Sequence, residues 1–265
     1  MYAFEYQKVK SVDDAAKIIA KDSDAKLLAG GQSLIAAMKL RLSKPSSVVD
    51  LGSIKGLSGI KVDGKAVTIG AMTRHAEVAA SSEVRKAIPA LAALAGGIGD
   101  RMVRNMGTIG GSLANNDPAA DYPAGALGLG ATIVTNKRKI AADDFFKGMY
   151  ETALGKGEII EQVSFPIPKR AAYMKFKNPA SRYAIVGVLV ADFGSGVRVA
   201  VTGAGPGVFR VAPMEKALAS KFAPESVANI SVPEKGLNSD LHAKADYRAH
   251  LITVMARRAV EAAVK

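Results

Sequence analysis

The sequence predicts an α+β fold in two successive parts, and three observations carry that reading. Near the N-terminus a strand, a Gly-rich turn, a helix and a second strand follow one another, the pattern of a parallel βαβ unit. Pairs of short strands then meet at Asp63-Gly64 and near Asn136, as hairpins do. Beyond Pro166 and Pro168, three apolar segments are spaced as a three-stranded antiparallel sheet, and a long amphipathic helix closes the chain.

Taken in order, Ser11 with Asp14 marks a helix start, Ser11 as N-cap and Asp14 at N3. Ala15, Ala16, Ile18 and Ile19 give that helix a weak apolar face up to Lys21. Residues 25–28 are a short strand, 29–33 the Gly-rich turn, 34–42 a helix ended by Pro45, and 47–51 the next strand. Strands at 60–62 and 66–69 form the first hairpin. A short helix is expected over 72–80, starting near Thr73, and a second over 83–95, ending near Gly96-Gly97. From Gly107 a Gly-rich loop runs on to Pro123. Residues 131–135 and 138–141 make the second hairpin, and 159–165 a strand closed by proline. The segment 166–170 reads as the linker, and the three-stranded sheet is expected over 172–177, 184–193 and 197–202. Pro213 fits the first turn of a helix to about Lys221. The last helix, over 240–264, carries Tyr247, Leu251, Val254 or Met255, and Ala259 on one face, which is core by default.

Composition narrows the chemistry. The 265 residues suffice for one or two domains, and 49% hydrophobic with 23% charged residues is ordinary for a globular protein. With no Cys, the chain forms no disulfide, has no Cys nucleophile and cannot ligate an iron–sulfur cluster by thiolate. With no Trp, any aromatic stacking falls to Phe or Tyr. His75, His242 and His250 sit at no metal-ligand spacing, so neither a metal site nor a catalytic His is expected. There is no Walker A motif, no nucleophile elbow and no G-x-G-x-x-G after a strand. A net charge of +12 suits an anionic cofactor or an acidic partner. The basic runs Lys137-Arg138-Lys139 and Arg257-Arg258 lack interleaved aromatics, which argues against nucleic acid. No signal peptide is evident and no stretch approaches the roughly 20 apolar residues of a membrane span, so a cytoplasmic protein is expected.

Two Gly-rich segments remain. In Ala29-Gly30-Gly31-Gln32-Ser33-Leu34, adjacent glycines allow positive φ, so successive N–H groups can face one anion; the same residues also suit a plain tight βα turn. The second segment, from Gly107 to Pro123, is richer. It holds a Gly pair (Gly110, Gly111), hydroxyls (Thr108, Ser112), amides (Asn115, Asn116) and carboxylates (Asp117, Asp121). It reads as a loop wrapped around a phosphorylated, polyhydroxylated ligand, with donors for phosphate and acceptors for sugar hydroxyls. A Cβ at Gly110 is expected to clash with that ligand or to forbid a positive φ.

Together, Ala29-Gly30-Gly31-Gln32-Ser33, Thr108-Ile109-Gly110-Gly111, Asn115-Asn116-Asp117-Pro118 and Asp121 resemble the FAD-binding medium subunits of the molybdenum hydroxylases, the xanthine dehydrogenase and aerobic carbon monoxide dehydrogenase family. The likeness covers essentially the whole chain, and the late segment from Asp240 to Arg248 is similar to the carbon monoxide dehydrogenase branch. It departs from the family at Gln32, where several relatives carry His, and at Ser112, where many carry Asn.

The resemblance implies a two-part FAD-binding domain of the vanillyl-alcohol-oxidase type over 1–168, with an N-terminal βαβ part of about 1–55 and a middle part of about 56–168. A C-terminal domain over 169–265 follows. It implies non-covalent FAD in this chain, fed by the [2Fe–2S] clusters of a small subunit that draws electrons from a large molybdopterin subunit, in a dimer of heterotrimers. No residue of this chain would be catalytic on the primary substrate; a quinone acceptor would bring at most peripheral membrane contact. Carried over by position, Ala29, Gly30, Gly31, Gln32, Ser33 and Leu34 would cradle the pyrophosphate. Thr108, Ile109, Gly110, Gly111 and Ser112 would form the second phosphate and flavin loop, and Asp121 would accept from a cofactor hydroxyl. Ile160 would pack on the cofactor, Lys177 would lie near the flavin and Tyr183 would cover its ring. Ile160 is equally strand core, and Lys177 equally a solvated charge. Two rival readings stand beside this one: a self-sufficient flavin oxidase, and a scaffold that has lost its flavin.

Overall fold

Ser11 caps the first helix as its sequence dictates: its Oγ accepts from the N–H of Asp14 at 3.1 Å, and the helix Val12–Lys21 follows. In the computed structural model, which describes residues 1–265, this helix leads into the strand Lys26–Leu28, the turn, a second helix and the strand Ser47–Asp50. The two strands pair in parallel, so the βαβ unit forms. An additional parallel strand, Glu5–Lys8, flanks Ser47–Asp50 on its other side. The second helix is shorter than expected, Leu34–Lys39, because Arg41 adopts φ +60° and turns the chain.

A five-stranded antiparallel sheet forms the middle of the molecule. Both predicted hairpins belong to it, with Ile160–Pro166 between them as the central strand. Gly64 at the first turn has φ +85°, which glycine adopts without strain. The helix expected over 72–80 begins at His75. The one expected over 83–95 splits into Ser82–Ala87 and Pro89–Gly96, because Pro89 lacks an N–H and holds Ile88 out of helical geometry, at φ −139° and ψ 77°.

The Gly-rich stretch is not a loop. Behind a helix at Arg101–Met106, it folds into Ile109–Asn115 and Asp121–Gly128. Thr108 Oγ1 accepts from the N–H of Gly111 and caps the first of these, and Asn116 ends it in the left-handed region at φ 43°. Local capping outweighs the low helix propensity of two glycines, because the buried faces of Ile109 and Leu113 join the core.

The linker is brief. The central strand ends at Pro166, the next begins at Arg170, and the N–H of Ile167 is tied to the carbonyl of Lys65. The C-terminal sheet holds the predicted three strands, Arg170–Lys177, Ala184–Asp192 and Val197–Thr202, and gains a two-residue fourth, Phe209–Arg210. Every residue of Ala184–Asp192 is buried. One face packs beneath the last helix, and the other, through Leu189 and Ala191, completes the core of the middle sheet, which explains the unbroken apolar run. The last helix starts at Ala245, not at 240, because Asp240 instead accepts from the N–H groups of His242 and Ala243 in a tight turn. Leu251, Met255 and Ala259 are buried as expected, Tyr247 stays exposed at the edge, and Arg248 is buried beside it.

Candidate functional site

A cavity of about 1090 Å³ opens between the N-terminal βαβ unit and the middle of the molecule, with the loop before Ala184 at its rim. The first Gly-rich turn, the second Gly-rich segment, and the loops carrying Gly99, Tyr150 and Arg182 line it. Tyr150 and Arg182 hold left-handed backbone at φ 57° and 63°, a conformation uncommon for residues with a side chain, and both stand on this cavity.

The first turn is built as an anion nest. The N–H groups of Gly30, Gly31, Gln32, Ser33 and Leu34 have no acceptor within the chain, whereas the carbonyls of Gly31 and Ser33 are taken by Ile35 and Ala37. Five consecutive donors left open beside a cavity call for an acceptor from outside the chain. Gly31 at φ +72° produces that arrangement. At Gly30 a Cβ would overlap the carbonyl oxygen of Met106 and lie 2.7 Å from Gly107 Cα. The two Gly-rich segments thus meet along their backbones, without side chains between them.

The second segment contributes differently from what its sequence suggested. Its N–H groups are consumed internally: Ile109 donates to Thr73, Gly110 to Ala71, Gly111 to Thr108 Oγ1 and Ser112 to Thr108. Gly110 is close-packed against the chain itself, since a Cβ there would lie 2.6 Å from Ala71 Cβ. The backbone is helical there, with no positive φ. The segment offers the cavity a surface free of Cβ at Gly111 and the side chains of Ser112 and Asn115. Asn116 is drawn away; its amide donates to Gly148 and Glu151 at 2.8 Å and pins the hairpin of Phe146–Gly148 with Glu151–Thr152.

Asp121 lies on the cavity wall but is already engaged. The Tyr173 hydroxyl donates to one carboxylate oxygen and Lys175 Nζ to the other at 3.1 Å. Burial pushes this carboxyl above its ordinary range, against the pull of Lys175 and Tyr173. Lys175 Nζ also donates to the carbonyls of Gly97 and Arg182, at 2.8 and 3.0 Å, which spends its three protons and ties both rim loops to Asp121. Glu158, also on the wall, is held down to about 2, chiefly by hydrogen bonds from Arg138. His75 packs against Gly107 in the wall itself; burial, with Arg104 beside it, lowers its pKa to about 4, so it is neutral.

All the residues proposed from the sequence reach this cavity except Ile109 and Lys177. Ile109 is wholly buried in the core. Lys177 is exposed at the end of its strand, where a bulge after Phe176 breaks the register, and Lys175 occupies the inner position. Ile160 is both core and cavity wall, and Tyr183 stands half-exposed at the rim. Sequence reasoning missed Lys175, Tyr150 and Arg182. For Tyr150 and Arg182 the signal is backbone geometry; for Lys175 it is the strand's phase relative to Asp121.

The family model described as the FAD binding domain in molybdopterin dehydrogenase matches residues 2–168. The nicotine 6-hydroxylase medium subunit of Paenarthrobacter nicotinovorans is 38% identical over 97% of this chain and 96% of its own length. The carbon monoxide dehydrogenase medium chain of Hydrogenophaga pseudoflava is 36% identical over 98% and 96%. Among solved structures, reconstituted CO dehydrogenase from Oligotropha carboxidovorans superposes with a TM-score of 0.90 at 33% identity, covering 99% of this chain and 98% of that one.

Proposed function

The chain belongs to the family of FAD-binding domains of molybdopterin dehydrogenases, and from that premise we propose that it is the flavin-carrying electron-transfer subunit of a molybdenum hydroxylase. The observation that carries the proposal is the row of five open N–H groups from Gly30 to Leu34 beside a cavity of about 1090 Å³. An elongated, dianionic dinucleotide matches both the donors and the volume, which is at the top of the range for ligand pockets.

In this reading the first turn holds the pyrophosphate, and Gly111, Ser112 and Asn115 face the rest of the cofactor. Asp121 acts through Lys175 and Tyr173 to fix the rim, and Ile160 and Tyr183 bound the flavin ring. FAD supplies a carrier that accepts electrons in ones or twos. The chain's own work is to bind and orient it, exclude water from one side and leave an edge open. The fold is then a two-part flavin domain of the vanillyl-alcohol-oxidase type over 1–168 with a C-terminal domain over 169–265. Partners would be a small subunit with [2Fe–2S] clusters and a large molybdopterin subunit, arranged as a dimer of heterotrimers. Relatives named for nicotine, carbon monoxide and glyceraldehyde match this chain at 38, 36 and 32% identity. Such similar subunits alongside such different substrates support a primary substrate chosen elsewhere in the complex.

The test is anaerobic flavin absorbance. The lone chain should carry FAD yet stay oxidised when carbon monoxide, purines or aldehydes are added. With its partner subunits and their true substrate the flavin should bleach, then recover with an acceptor. Bleaching of the lone chain would favour a self-sufficient oxidase instead.

A further inference from the structure

His75 is 5% exposed, yet it stands in the wall of the main cavity. Its Nδ1 has no hydrogen-bond partner. Neither has the hydroxyl of Tyr122, whose ring lies beside the imidazole with centroids 5.2 Å apart. Buried polar groups are normally paired, so two open ones in neighbouring rings call for a reason.

The place of the ring relative to the anion nest supplies one. The N–H of His75 donates to the carbonyl of Gly107 at 2.9 Å. A Cβ on Gly107 would come 2.6 Å from His75 Nε2, and a Cβ on Gly30 would come 2.7 Å from Gly107 Cα. A single glycine therefore separates the imidazole from the first residue of the nest.

Charge supplies the second argument. The cavity is lined by Lys26 and Arg182 and by the carboxylates Asp117, Asp121 and Glu158, of which the last two are paired with Lys175 and Arg138. Four cations against three carboxylates leave one positive charge for a ligand that carries two negative ones. Around His75 itself the acting charge is Arg104, whose guanidinium is held by the carbonyls of Ile98 and Gly99. The helix Pro89–Gly96 packed beside the ring has no titratable side chain. Glu83, Arg85 and Lys86 of the helix before it are exposed, and Glu77 accepts from the N–H of Arg74 at the surface. Tyr122 keeps its proton, because burial raises its pKa. Burial and Arg104 both oppose a charge on His75, so the compensation has to come from an arriving anion.

We propose that His75 takes a proton from solvent when the dinucleotide binds, and that the imidazolium then serves as the second positive charge of the pyrophosphate site. The proposal rests on the flavin reading above. A charged imidazole donates from both nitrogens, and the Tyr122 oxygen is an acceptor with no other claim on it. The loaded protein then holds one more proton than the flavin-free chain, so FAD affinity rises as pH falls. The diester pyrophosphate and the flavin ring of FAD keep their charge between pH 5 and 8, which leaves the protein as the source of any change.

The test is calorimetric titration of the flavin-free chain with FAD at pH 6, in two buffers of different ionisation enthalpy, which counts the protons taken up. About half a proton or more per FAD is expected, with affinity rising about fivefold from pH 7.5 to 5.5. His75→Gln should bring the uptake close to zero and remove the rise. A direct reading needs no variant. The chain has three His, and with nitrogen-15-labelled histidine the ring signals of His75 at pH 6 should move from the neutral to the charged pattern as FAD is added. A neutral His75 in the loaded protein, or an uptake that persists in His75→Gln and so belongs to another group such as Asp121, would overturn the role of His75 while the flavin reading stands. A chain that binds no FAD at either pH would overturn both.

Discussion

Gly30 Cα rests on the carbonyl oxygen of Met106, closely enough that no side chain fits between them. This contact couples the turn with open N–H groups to the segment that begins at Gly107, and it sets the width of the cavity floor. Gly110, the more conspicuous glycine in the sequence, makes its close contact with Ala71 within the cavity wall, where a Cβ would meet the chain itself.

The two glycines should therefore fail differently. Gly30→Ala must push the two segments apart where they meet under the proposed pyrophosphate, and FAD affinity is expected to fall at least tenfold. Gly110→Val overpacks the core against Ala71 and should lower the stability of the flavin-free chain by about 1–3 kcal/mol. Flavin titration and denaturant unfolding of both variants separate the effects. Normal FAD affinity in Gly30→Ala would remove the nest from the argument.

Lys175 and Lys177 offer a second contrast. Lys175→Met strands a buried Asp121 carboxylate and frees both rim loops, and a loss of about 3–5 kcal/mol is expected. Lys177→Met changes an exposed side chain and should stay within about 0.5 kcal/mol of wild type. Equal unfolding midpoints for the two variants would show that the Asp121 ion pair does not hold the rim.

This lysine pair also marks where sequence reading stops. The βαβ unit, both hairpins and the C-terminal strands are written in local patterns: Ser11 with Asp14, Asp63-Gly64, and the apolar run of 184–192. Such signals concern neighbours in sequence. That Asp121 meets Lys175 instead of Lys177 depends on the register of a strand more than fifty residues away and on a bulge after Phe176. Likewise, Thr108 and Asn116 cap a helix across two glycines whose propensity argues for a loop. Their polar side chains looked like ligand contacts because the Thr108 cap and the Asn116 bonds to Gly148 and Glu151 use the same atoms that binding would.

His75 provides a pH signature. Its pKa is lowered from 6.5 to about 4, mainly by burial. Between those values the unfolded chain binds a proton that the folded chain does not, so stability falls as pH drops through that window. The lost stability amounts to about 3 kcal/mol. His75→Gln should flatten the dependence of the unfolding midpoint on pH between 6.5 and 4, even if the variant is less stable throughout. An unaltered slope would place the acid sensitivity elsewhere.

The charge excess yields the last expectation. Only seven of the 36 basic side chains have a carboxylate partner, which leaves a strongly positive surface. Two FAD phosphates would neutralise a small part of a net +12. At the cavity rim Leu40 and Leu42 are largely exposed, with Lys39 and Arg41 beside them. A partner that covers this rim needs an apolar centre and an acidic border. Charges on such a border act over about 8 Å at physiological ionic strength, so they speed encounter more than they tighten the complex. Association of the chain with its partner subunits should therefore slow severalfold as salt rises from 50 to 500 mM, while dissociation changes little. Replacing Lys39 and Arg41 with Gln should lower both the association rate and its dependence on salt. Stopped-flow mixing measures both, and an association rate indifferent to salt would sink the electrostatic account of the positive surface.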